Sequence, residues 1–94
     1  MKNIVIVGGN ECMECQYREI CKQNGYKKAK VFTKERGNVG KKIGCPDLLV
    51  MFTGTVSHKM MMSATAEAKR QNVPIEWLHS SSASALKKLL QERG

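Results

Sequence analysis

The chain has few aromatic residues, few acidic residues and no long apolar run, and each shortage excludes a class of protein. Aromatics make up 5% of it: Tyr17, Tyr26, Phe32, Phe52 and Trp77. Both phenylalanines fall in predicted strands. No basic-aromatic platform is left on which single-stranded bases could stack. No recognition-helix or zinc-finger spacing occurs either. Acidic residues number 8 against 16 basic ones. No carboxylate pair and no Ser-His-Asp order stands out, which argues against a self-sufficient hydrolase. The longest apolar run, Leu48 to Phe52, is far too short to span a bilayer. Lys2 and four β-branched residues before Gly8 are too little for a secretory signal. A cytoplasmic location with no membrane partner is therefore expected. Neither the GxGxxG nor the P-loop spacing is present, and the sequence names no cofactor.

What is present is the composition of an ordinary globular domain. With 94 residues, 41% hydrophobic and 26% charged, residues 1–94 make one domain with a single core. The net charge of +8 favours an anionic partner or simple solubility. Nucleic acid is admitted by charge alone. The four cysteines, in a chain expected inside the cell, are read as buried thiols, metal ligands or redox groups rather than disulfides.

The organising stretch is Ile4-Val5-Ile6-Val7, which stops at Gly8-Gly9-Asn10. β-Branched residues suit a strand, and an unbroken apolar run suits one buried on both faces. The two glycines allow a tight turn and a close approach to a ligand or a helix. Glu11 to Gly25 reads as a helix with Met13, Tyr17, Ile20 and Cys21 on one face and Gly25 as its stop. Ala29 to Thr33 is a half-exposed edge strand, and Asn38 caps a brief helix carrying Val39 and Ile43. Asp47 to Phe52 is a second inner strand, and Ser57 caps a helix that runs to Gln71 and stops at Asn72. Pro74 to Leu78 is a short edge strand, with proline at its first position. Ser80-Ser81-Ser82 leads into a last helix with Ala85, Leu86, Leu89 and Leu90 inward. Strands alternating with helices give an α/β fold with a parallel sheet. The expectation is a three-layer Rossmann-like or flavodoxin-like sandwich, four parallel strands in the order 2-1-3-4.

Ligands of such sheets bind outside the carboxyl ends of the strands, where the order reverses. That edge collects Gly8, Gly9, Asn10, Thr53, Thr55, Ser57, His58, Ser80 and Ser81 as candidate ligand contacts. Small polar residues, helix N-termini and lysines together suit a small anionic or phosphorylated ligand. The opposite edge shows nothing comparable. Caps account for many such serines and threonines, but three in a row exceed one cap. Cys12-Met13-Glu14-Cys15 offers an alternative, because thiols at helix N-termini are often reactive. Cys12, Cys15, His58 and His79 share the edge and form a candidate redox or metal set. Cys21 lies in the apolar stripe, and Cys45 at the far edge. Met60-Met61-Met62 cannot all face a core, so one is expected outside, which together with the edge strand suggests a homodimer.

Four segments carry a resemblance: Ile4 to Asn10, Pro46 to Val50, Thr55-Val56-Ser57-His58-Lys59, and His79 to Ser82. Together they resemble DUF2325, a bacterial domain-of-unknown-function family, over nearly the whole chain. The resemblance implies a small Rossmann-like domain without an established activity. It emphasises Gly8, Gly9, Ser57, His58 and the serine cluster. It also implies a frequent His after the two glycines, where this chain carries Asn10, and it does not include the Cys12/Cys15 pair.

Overall fold

A computed structural model describes residues 2–33, 43–54, 56–80 and 82–93. Four strands form one sheet: β1 (Lys2–Val7), β2 (Tyr26–Phe32), β3 (Leu48–Phe52) and β4 (Ile75–Leu78). Their order is β2-β1-β3-β4, and every pairing is parallel. Among the described residues, three longer helices cover the sheet: α1 (Glu14–Gln23), α2 (His58–Arg70) and α3 (Ala83–Arg93). The Rossmann-like α/β sandwich expected from the strand and helix pattern is the one observed.

Alternation along the inner strands divides the core in two. Ile4 and Ile6 of β1 and Leu48, Val50 and Phe52 of β3 face α1 and α3, where Tyr17, Cys21, Leu86 and Leu90 close the layer. Val5, Val7, Leu49 and Met51 face the other way, onto Ile43 and onto Met60, Ala64 and Ala68 of α2. All five residues of β3 are buried, as a strand covered on both faces requires. From β1 the chain moves outward to β2 through α1, and from β3 outward to β4 through α2. These two steps run in opposite directions, so right-handed crossovers must put α1 and α2 on opposite faces.

Local chemistry sets the boundaries. The expected first helix begins with a 3-10 turn at Glu11–Met13 and becomes α-helical only at Glu14. Asn10 makes that turn, its side chain accepting from the Cys12 N–H at 3.0 Å. Gly25, at φ +92°, ends the helix segment as expected. Ser57 caps α2 by accepting from the Met60 N–H at 3.2 Å, and Asn72, at φ +58°, ends it.

β2 begins three residues before the expected Ala29. The register shifts between Lys2 and Asn3, which pair with Tyr26 and Lys28, so Lys27 is an extra residue. That bulge lets Tyr26 share a face with Ala29 and Val31, three and five positions on. Simple alternation would have sent Tyr26 outward, which is why the sequence pattern hides the start of this strand. Of the expected brief helix from Asn38, only Ile43 lies within the described residues.

Candidate functional site

The register brings the carboxyl ends of the four strands into one row. Val7 pairs with Phe32 and Met51, and Phe52 with Leu78. The segments after Val7, Phe52 and Leu78 therefore leave the sheet at the same edge. Between β1 and β3 the chain diverges to opposite faces, which is where a crevice opens in folds of this kind.

Gly8 and Gly9 shape this edge. Both have positive φ, +91° and +92°. A Cβ at Gly8 would meet the Phe52 carbonyl and Val56 Cβ at 3.0 Å each. A Cβ at Gly9 would fall 2.9 Å from the Tyr17 ring and 3.0 Å from the Phe52 ring. The close approach expected at the glycines is thus made to α1 and β3. Gly8 is buried and its N–H donates to the Phe32 carbonyl at 2.8 Å. Its N–H is therefore committed to the sheet and closed to a ligand.

Asn10, Thr53, Ser57, His58, His79 and Ser80 are exposed. Each also has local work where hydrogen bonds are seen. The Asn10 N–H donates to the Tyr17 hydroxyl at 3.1 Å. The Thr53 N–H donates to the Leu78 carbonyl at 2.8 Å, joining the ends of β3 and β4. Ser80 Oγ accepts from the Ser82 N–H at 3.3 Å, and Ser82 Oγ accepts from the Ala85 N–H at 3.2 Å. Ser82 is thus a cap of α3, a role the run of serines alone does not assign. Among the described glycines Gly54 packs tightest: a Cβ there would lie 2.6 Å from the His79 carbonyl. The sequence marks Gly54 as part of the break after β3 and not as a site residue, although a glycine two residues past an inner strand is a signal of such contact. Thr55 and Ser81 lie outside the described residues.

The Thr33 hydroxyl donates to Glu14 Oε1 at 2.8 Å, which ties the end of β2 to the start of α1.

Cys12 and Cys15 are free and exposed. Among the described residues, no group of three or more His, Cys, Asp or Glu is placed to hold a metal ion. The expected set of Cys12, Cys15, His58 and His79 is therefore not assembled as a metal site. Cys21 is buried in the core, where burial pushes its thiol up to about 12. Of the methionine trio, Met60 is buried and Met62 is exposed, as the helical spacing requires.

A parallel sheet with helices on both faces and a divergence between its two central strands defines a Rossmann-like domain. The chain belongs to the family described as "Uncharacterized protein conserved in bacteria (DUF2325)", whose pattern matches residues 3–93. Among solved structures it is similar to a de novo designed Rossmann fold protein. That likeness has a TM-score of 0.59 at 15% identity, over 95% of this chain and 93% of the other, and it shows the fold alone. No curated protein matches the chain. Among the described residues, no helix is long and apolar enough to cross a membrane.

Proposed function

We propose that this chain is a cytoplasmic binding domain that holds a small anionic or phosphorylated ligand at the carboxyl ends of its strands, without catalysis of its own. One observation carries the reading: the adjacent central strands β1 and β3 send their chains to opposite faces. In open α/β sheets that divergence is where ligands sit. The exposed Asn10, Thr53, Ser57, His58 and Ser80 would supply polar contacts around it; Thr55 and Ser81 belong to the same proposal but lie outside the described residues. Gly8 and Gly9 shape the turn. Ser57 and His58 head α2, whose first-turn N–H groups and positive dipole end favour negative charge. The net charge of +8 acts in the same direction. The half-exposed Trp77 on β4 and Met62 on α2 are the surfaces through which two copies would associate. Charge alone supports nucleic acid as a partner, and no placement of residues favours the Cys12–Cys15 alternative.

A thermal-shift panel of nucleotides, sugar phosphates and small carboxylates tests the reading. A specific ligand should raise the melting temperature, and a Ser57→Ala/His58→Ala variant should lose that rise. A broad panel that moves nothing overturns it. Sedimentation of the unliganded protein at two concentrations checks the dimer.

A further inference from the structure

The sheet ends in two edge strands, β2 and β4, and they are built differently. β2 carries Lys27, Lys28 and Lys30 and a bulge at Lys27. Lysines and bulges keep an edge from pairing with another chain. β4 has neither. No lysine or arginine occurs from Gln71 to Leu86, and the register of β4 with β3 is unbroken. The hydrogen bonds also fix which backbone groups β4 presents. The Leu49 and Thr53 N–H groups donate to the Pro74 and Leu78 carbonyls. Alternate residues of a parallel strand face its neighbour, so Pro74, Glu76 and Leu78 turn their backbone groups to β3. Those of Ile75 and Trp77 turn outward, and among the described residues no strand lies beyond β4. Pro74 does not blunt this edge, because the donor it lacks would have faced β3. Trp77 pairs with Met51, on the sheet face that α2 covers, yet it is 50% exposed. Tryptophan contributes most where its large apolar ring is covered.

From this edge we infer that β4 pairs antiparallel with β4 of a second copy, Ile75 of each opposite Trp77 of the other. The inference rests on the reading that two copies associate, and it adds the contact and the register. A strand paired with itself about a two-fold axis offers the same groups from both sides, and this register uses every outward group of Ile75 and Trp77. Each indole then lies beside the partner's isoleucine, an aromatic–β-branched pair on one face. Charge selects the edge. Each copy carries +8, and a contact through β2 would set three lysines against three, whereas β4 brings none. The bulge at Lys27 likewise disfavours a head-to-tail contact of β4 with β2. Glu76 lies on the axis facing its own copy, and that like-charge contact, with so short a strand, keeps the association weak.

The test uses the full chain, labelled with 15N, in a series from micromolar to millimolar concentration. Sedimentation should show a monomer–dimer equilibrium. The emission of Trp77, the only tryptophan, should move to shorter wavelength along the same curve. Amide exchange at Ile75 and Trp77 should slow in the dimer, while Glu76 and Leu78, bonded to β3, stay protected throughout. Trp77→Lys gives β4 the guard that β2 has and should raise the dissociation constant at least about tenfold, as loss of an interface tryptophan does. Trp77→Phe should keep the dimer. The position is exposed, and a dispersed spectrum confirms that both variants fold. A chain that stays monomeric at millimolar concentration overturns the proposal. So does a dimer in which the Trp77 amide exchanges as in the monomer, or one that survives Trp77→Lys. A dimer lost in Met62→Lys but kept in Trp77→Lys puts the contact on α2, which overturns this pairing and leaves association standing. Ligand binding is read separately: Trp77→Lys should keep the ligand-induced rise in melting temperature that Ser57→Ala/His58→Ala loses.

Discussion

Gly9 lies against the ring of Tyr17 so closely that a methyl group on its Cα would sit 2.9 Å from a ring carbon. The same ring stacks at a tilt on Phe52, with centroids 5.3 Å apart. The turn after β1 is thus clamped between α1 and β3 by two aromatic side chains. Gly9 and Gly25 share φ +92°, but Gly25 has nothing within 4 Å of its missing Cβ. Gly25→Ala should therefore cost only the left-handed penalty, about 1–2 kcal/mol. Gly9→Ala should cost that and the displacement of Tyr17 and Phe52 as well. Urea unfolding of both variants, read at constant m-value, checks the ranking. Equal losses would mean that the aromatic clamp yields freely.

Ser57 carries two claims that one position can separate. Its side chain caps α2, so Ser57→Ala should lose about 1 kcal/mol of stability. Ser57→Asp keeps a capping oxygen and places a negative charge at the helix start, so stability should hold. The same charge would repel an anionic ligand at the strand ends. The expected pattern is a thermally intact Ser57→Asp protein in which the ligand-induced rise is abolished. A rise that survives in Ser57→Asp would place the ligand elsewhere.

The four strands and their order were readable from residue types, and what was not readable is where the edge strand β2 begins. β1 and β3 are unbroken apolar runs, and glycine or a serine cap marks the elements around them. Parallel pairing then follows from the alternation of strands and helices. Tyr26 escaped because the bulge at Lys27 breaks the period of two on which strand reading relies. At the candidate site, polar residue types could be placed at the strand ends. Their local duties, Ser82 as a cap and Gly8 as a sheet donor, depend on geometry that composition does not carry.

Thr65 points a hydroxyl into α2's packed side, where its oxygen is buried and has no hydrogen-bond partner among the described residues. A buried hydroxyl without a partner costs its desolvation. Valine has the same shape and the same β-branched restriction in a helix. Thr65→Val should therefore raise stability by about 1 kcal/mol, a rise of about 4–8 °C in melting temperature for a domain this size. Calorimetry of the single variant decides the matter. A lower melting temperature would show that the hydroxyl is satisfied by water.

Cys21 links the core to pH. Its thiol is raised from 9.0 to about 12 because burial disfavours the thiolate. In the unfolded chain the same thiol ionises near its ordinary value, so above pH 9 the unfolded state binds fewer protons than the native one. Stability must then fall as pH rises. The contribution is complete below about pH 9 and is lost between there and about pH 12, at no more than about 1.4 kcal/mol per pH unit. The Cys21 contribution is isolated by comparison with Cys21→Ala, in which every other ionisable group is unchanged. That variant should be less stable at pH 8, having lost buried volume, but its urea midpoint should fall less steeply from pH 9 to 11. Parallel slopes would mean that the thiol reaches water in the native state, and alkylation at pH 8 would then modify Cys21 along with Cys12, Cys15 and Cys45.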